Sequence, residues 1–299
     1  MLTRIADAHH HLWDDRVLPY PAKVRNAPES GSPGTTPDYS RQYLLPDYRA
    51  DAQGLPLIRS VHVEAAAAPE AAFQETHWLA SQNGDGDLLL DAFVCNACLE
   101  DPRVTDELAR QVTVHQVRGV RQMLDRNRNT GQRELTTLIS NEQWRAGYAA
   151  LADYNLSFDL QILPPQLGDF AGIADRYPEV PIVLNHGGYL VPHSEENEQF
   201  WIYGIRRLAQ CPNVTVKASG FQVVDPSWSF DRYRFFLQSL LDCFGVDRVL
   251  FGSNYPVERR TITLPRLVEL TLEALPPMTD TELDSFFYRN TVRVYRLAE

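Results

Sequence analysis

The chain has 299 residues, 44% of them apolar, and a formal net charge of −11. That acidic balance argues against nucleic-acid or anionic-membrane binding, because both need a positive footprint. The length suits an α/β barrel running as one unit, and the apolar content supplies a large core.

No apolar run approaches the roughly 20 residues of a membrane-spanning helix, and the first residues lack a basic-then-apolar leader pattern. The expectation is a cytoplasmic protein. The cysteines are Cys95, Cys98, Cys211 and Cys243. Cys95 and Cys98 have a metal-like spacing, yet they end an apolar run and no second Cys/His pair lies nearby. They read as reduced thiols near a strand end.

The first predicted element is a short strand, Ile5-Ala6-Asp7-Ala8-His9-His10-His11-Leu12-Trp13. Alternation puts His9 and His11 on one face and His10 on the other. Two imidazoles sharing a face at a strand's C-terminal end make half of a metal site, or a polarising pair for a carbonyl. Residues 14–56 come next as an irregular segment rich in Pro, Gly, Ser and Tyr. A structureless stretch this long reads as a lid or substrate wall. Tyr39, Tyr43 and Tyr48 are placed either to line a pocket or to pin the loop to the rim.

From Leu57 the pattern alternates. Strands are predicted at 57–64, 88–94, 116–122, 156–162, 181–185, 214–218 and 248–252. Helices are predicted at 70–81, 101–112, 141–153, 166–176, 196–209 and 230–244, with two more at 264–274 and 280–295. Asp101-Pro102 offers a cap followed by proline in the first turn. Eight short strands alternating with helices imply parallel pairing and closure into a (β/α)8 TIM barrel, one domain spanning residues 1–299. An open doubly wound sheet would want a glycine-rich phosphate turn after its first strand, where this chain has three histidines and a tryptophan.

Barrel active sites lie at the C-terminal ends of the strands. In order, those ends supply His9 and His11, then His62 and Glu64 on a shared face, then Arg121. Asp159 and Gln161, His186, Lys217 and Asn254 complete the ring. Burying so many polar groups without partners would cost several kcal/mol, so the ring points to a site.

Several stretches resemble signatures of the amidohydrolase superfamily. They are Asp7-Ala8-His9-x-His11-Leu12-Trp13, Gly119-Val120-Arg121, Leu184-Asn185-His186-Gly187-Gly188, Val216-Lys217-Ala218-Ser219-Gly220 and Arg248-Val249-Leu250-Phe251-Gly252-Ser253-Asn254-Tyr255-Pro256-Val257. The resemblance is to the branch that contains 2-pyrone-4,6-dicarboxylate lactonase and the L-fuconolactone and L-rhamnonolactone hydrolases. It runs in order to the C-terminal helix, where Asn290-x-x-x-x-Tyr295 also fits. By position it makes His9 and His11 the strand-one pair, His186 the strand-six histidine and Arg121 a substrate-binding arginine.

The activity this resemblance implies is hydrolysis of a lactone or related cyclic ester, by carbonyl polarisation and water attack. The catalytic candidates are His9, His11, His186, Asp159, Lys217 and Asn254. Arg121, Glu64, Gln161, Tyr39 and Tyr48 are the candidates for substrate contact. The expected partner is a small anionic or polyhydroxylated molecule, with neither nucleic acid nor membrane, and homo-oligomers are compatible with this reading. The resemblance implies either one divalent ion, zinc or manganese, on His9, His11 and His186, or a metal-free site.

Two departures stand out. The family's strand-eight aspartate is Asn254, and an amide cannot take a proton from water as a carboxylate does. The strand-five metal-ligand position holds Asp159 and Gln161. Asp159, Glu64 or His186 is left to deliver the water. A decarboxylase, a lactone isomerase or an inactive barrel that binds a small acid are the alternatives these departures allow. Removing Arg121 is expected to damage recognition far more than stability.

Overall fold

Eight parallel strands succeed one another around a single sheet in chain order. They are β1 (Ile5–His10), β2 (Leu57–Val63), β3 (Leu89–Asn96), β4 (Val117–Arg121), β5 (Ser157–Leu160), β6 (Ile182–Leu184), β7 (Val214–Ala218) and β8 (Val249–Phe251). The computed structural model describes residues 2–21, 42–82, 89–124, 135–190, 195–225 and 227–298. Beyond the end of β8 the chain closes onto β1: Asn254 N donates to His9 O at 2.7 Å and His11 N to Tyr255 O at 2.8 Å. The architecture is the expected TIM barrel.

Strands covered on both faces read as continuous apolar runs, as Ile182-Val183-Leu184 and Val249-Leu250-Phe251 do. Small side chains fill the barrel itself, among them Ala8, Val61, Val63, Ala92, Val94, Val183 and Leu250. Larger rings fill the outer layer between strands and helices, where Phe158 stacks on Phe170 and Trp144 on Tyr148. The helix Glu142–Asp153 shows how that layer is built. Asn141 caps it by accepting from Gln143 N and Trp144 N, a contact worth about 1 kcal/mol. Its buried face carries Trp144, Tyr148 and Leu151. Gly147 lets it approach closely, since a Cβ there would lie 2.2 Å from Leu99 O.

The C-terminal helices close the N-terminal mouth of the barrel. Asn290 Nδ2 donates to Val246 O and Val249 O at 2.7 and 2.8 Å, and Arg296 Nη2 to Asn155 O at 2.7 Å. Tyr295 and Leu297 then join the apolar cluster inside the barrel. Among the described residues no helix is long and apolar enough to cross a membrane. All four cysteines are free thiols.

Three local expectations are corrected. The helix expected from Asp101 begins at Val104, because Asp101 instead accepts from Arg103 N at 2.8 Å and holds the preceding turn. The last helix, continuous in its pattern, contains a π-helical section at Ser285–Arg289. The segment 14–56 is not structureless throughout. Trp13–Asp14 pairs antiparallel with Gln42–Tyr43, and the helix Leu45–Asp51 comes directly after. Tyr39 lies outside the described residues.

Candidate active site

His9 and His11 reach the C-terminal end of β1 as alternation requires, and their Nε2 atoms lie 3.2 Å apart. His11 Nδ1 is 2.7 Å from Val63 O. The His186 ring comes within 4.6 Å of the His9 ring, centre to centre. His186 sits in a left-handed turn, with φ 54° there, 56° at Gly187 and 73° at Gly188. Gly220, at φ 71°, makes the space, since a Cβ there would lie 2.4 Å from His186 Nδ1. Ser219 Oγ meets that same Nδ1 at 2.9 Å.

Asp7 holds the rim together. Its carboxylate accepts from His9 N at 3.0 Å, Ser253 N at 2.8 Å, Ser253 Oγ and Tyr48 OH. One side chain thus ties β1, the loop after β8 and the helix Leu45–Asp51. Tyr48 is thereby corrected as a substrate contact. It is buried, bonded to Asp7 and stacked on His10 with ring centres 4.3 Å apart.

Arg121 is gripped by two of the other residues expected to contact substrate, Glu64 and Gln161. Its Nε donates to Glu64 Oε1 at 2.6 Å, Nη2 to Glu64 O at 2.6 Å and Nη1 to Gln161 Oε1 at 2.9 Å. Glu64 Oε2 accepts from Ala66 N at 2.8 Å. Glu64 and Gln161 therefore orient Arg121 and are corrected as direct substrate ligands. With three of its five N–H groups used, Arg121 keeps one on each terminal nitrogen for a ligand, among the described residues. His62 does not join Glu64. It bonds Leu12 O at 3.2 Å and meets the His10 ring edge-on.

Below the histidines, Lys217 Nζ donates to Asp159 Oδ2 at 2.5 Å and reaches His9 Nδ1 at 3.3 Å. Asp159 also accepts from Tyr295 OH, at 2.9 and 3.1 Å to its two oxygens. Alternate strands of a barrel share an interior layer, and β1, β5 and β7 meet here in one. Both members of the ion pair are fully buried. Asp159 is thus corrected as the base for water, since its oxygens are committed. Lys217 touches His9 and is corrected as a group that meets substrate directly.

Burial, with the Lys217 charge next in weight, holds His9 well below the ordinary imidazole range. Burial and then the Arg121 charge do the same to His186. Both shifts favour the neutral imidazole at neutral pH, the form that can accept a proton. His9 Nδ1 already faces Lys217 Nζ and its Nε2 faces His11, which leaves His186 as the candidate acceptor. Burial also lowers Lys217, and Asp159 opposes that shift.

Asn254 adopts φ 55°, a region that asparagine tolerates better than most side chains. Its Nδ2 faces Glu258 Oε1 at 3.5 Å. An aspartate here would set two carboxyl groups within hydrogen-bond reach, so an amide suits the position. Glu258 is a site residue that the strand-end pattern misses, although its spacing, four residues past Asn254, is a usable signal. It accepts from Val223 N at 3.4 Å and Thr261 Oγ1 at 3.1 Å. Burial pushes its pKa up from 4.5 to about 7, against the pull of those donors. A raised carboxyl pKa contributes stability that is whole below 4.5 and lost as pH rises through about 7. Glu258→Gln is therefore expected to gain on the wild type by about 3 kcal/mol between pH 4.5 and pH 8. Urea unfolding at both pH values measures this, and an equal effect at both would refute it.

A metal ion would draw on His9, His11 and His186. Among the described residues no group of three or more His, Cys, Asp or Glu side chains is arranged to hold one. The strand-five carboxylate is taken by Lys217 and Tyr295, and position 254 offers an amide. The donor set does not fit a bound ion.

The chain matches, over residues 6–297, the family described as Amidohydrolase. An uncharacterized protein of Sinorhizobium fredii is 29% identical over 301 residues, 98% of each chain. An L-fucono-1,5-lactonase of Burkholderia multivorans is 26% identical over 262 residues, covering 84% of this chain and 81% of its own. A solved Burkholderia multivorans amidohydrolase with bound HEPES superposes at TM-score 0.82 and 22% identity, covering 98% of this chain and 99% of that one. A zinc-bound crystal form superposes at 0.81 and 21% identity, with the same coverage. The fold also extends to 5-carboxyvanillate decarboxylase from Sphingomonas paucimobilis, at TM-score 0.66 and 12% identity over 99% of this chain and 100% of that one.

Proposed function

The chain belongs to the amidohydrolase family, and from that premise we propose that it hydrolyses a lactone or related cyclic ester. The observation that carries the reading is the convergence of two neutral imidazoles, His9 and His186, with a fixed guanidinium at one mouth of the barrel. The lactonase relatives support the same class of substrate.

In this reading the free N–H groups of Arg121 bind an anionic or polyhydroxylated small molecule, because charge-assisted bonds are the strong ones. The Asn254 amide, unlike a carboxylate, is able to donate a hydrogen bond to the carbonyl oxygen as negative charge develops there. His186 takes the proton of the attacking water. The new bond joins that oxygen to the carbonyl carbon, the ring C–O bond breaks, and the leaving alkoxide takes the proton back from His186. The product is an open-chain hydroxy acid. No step runs through a metal ion. Decarboxylation is the second reading, favoured by the amide at position 254, since loss of CO2 needs no water-activating carboxylate.

Incubation with a panel of sugar lactones and aromatic carboxylic acids separates the two. Ring opening, followed as acid release, is the expected result. CO2 release without any lactone turnover would overturn the proposal.

A further inference from the structure

We infer that Lys217, clamped by Asp159 and Tyr295, locks His9 in the tautomer that bars a divalent metal from the His9–His11 pair. In this chain a fixed ammonium stands behind the pair, on the Nδ1 side of His9. The inference rests on the barrel interior and is independent of the substrate.

The spacing of the two Nε2 atoms, 3.2 Å, does not decide the matter alone. Two nitrogens that share a zinc ion at about 2.0–2.1 Å each would stand at a similar separation. The protons decide it. An ammonium has only donors, and Asp159 at 2.5 Å stabilises the charged form of Lys217. At 3.3 Å from His9 Nδ1, Lys217 must donate, so Nδ1 carries the lone pair. A neutral ring then has its proton on Nε2, aimed at His11. His11 accepts on Nε2, carries its own proton on Nδ1 and donates it to Val63 O at 2.7 Å. Each link of the series, from Asp159 through Lys217, His9 and His11 to Val63 O, thus has one donor and one acceptor.

Metal binding reverses that order. Both Nε2 atoms would need lone pairs, which moves the His9 proton to Nδ1 and points it at the ammonium. Two donors would then face each other inside the barrel, with a dication added beside a buried positive charge. Asp159 offers no relief, because Tyr295 and Lys217 occupy its oxygens. Tyr295 reaches it from the C-terminal helix, 136 residues away in sequence. Tyr295 and Asp159 are in this sense positioning residues for His9.

The test is nitrogen-15 NMR of histidine-labelled protein together with calorimetric titration by zinc chloride. In the wild type, His9 is expected as the Nε2–H tautomer and His11 as Nδ1–H, with neither ring shifted by zinc. The double variant Lys217→Met/Asp159→Asn removes the ammonium and keeps the interior neutral. It is expected to bind zinc about 100-fold more tightly than the wild type, with both rings shifting, as changes behind a metal ligand do. A wild-type His9 protonated at Nδ1, or stoichiometric zinc on the wild-type pair, would overturn the inference. So would a folded double variant with no gain in zinc affinity. If that variant fails to fold, the wild-type tautomers still decide.

Discussion

Replacing Arg121 by alanine is expected to lower folding stability by about 3–5 kcal/mol, the usual cost of stranding one partner of a buried ion pair. Glu64 has no exposed side chain and accepts from Arg121 at 2.6 Å, while the same guanidinium holds the Glu64 carbonyl. Without the cation, the buried carboxylate keeps, among the described residues, only the Ala66 amide. The buried pair thus adds a sizeable stability cost to the loss of recognition expected from the sequence. Glu64→Gln/Arg121→Met is expected to recover most of the loss, because no charge is then left unpaired. Urea denaturation of wild type, single and double variants provides the comparison. A loss below about 1 kcal/mol in Arg121→Ala would mean that Glu64 finds solvent or another donor, and would remove the argument that Arg121 is pre-positioned.

His186→Asn is expected to lower kcat/KM on the best lactone by 10²–10⁴-fold, roughly the usual contribution of general acid–base catalysis. Asparagine is the suitable replacement, since it tolerates the left-handed backbone at φ 54°, so stability should change little. The sign of the pH dependence comes from the environment. Burial and the Arg121 charge depress the His186 pKa, so the ring stays neutral and active down to a pH below the ordinary imidazole value. The wild-type kcat/KM profile should be flat near neutrality and fall only at that lower pH. The variant should lose this acidic limb along with its rate. If the limb and most of the rate survive in His186→Asn, the proton acceptor is elsewhere in the site.

The barrel was legible because its strands are buried on both sides. An apolar run such as Val249-Leu250-Phe251 has few other readings, and each of the eight predicted strands overlaps an observed one within a few residues. The pairing of His9 with His11 was also local information, since alternation along one strand sets which side chains share a face. The helix Leu45–Asp51 carried a local signal as well, with proline in its first turn and the Asp47 side chain bonding back to Leu44 N. It was lost within a segment whose composition suggested irregular structure.

The roles of the charged residues were a different matter. Asp159 and Lys217 are 58 residues apart, Glu64 and Arg121 are 57 apart, and each pair meets because the sheet closes on itself. Composition at strand ends announces that polar groups will collect there, but it does not say which will satisfy one another. A carboxylate that faces substrate and one spent on a neighbouring cation look the same in sequence. By itself the sequence determined the barrel, the end of it where the polar side chains collect and the histidines that stand there. Only tertiary closure decided that Asp159, Lys217 and Glu64 support the site from behind. The physical reason is that a charge buried in the barrel must find its partner across strands, and which strands adjoin is a property of the closed sheet.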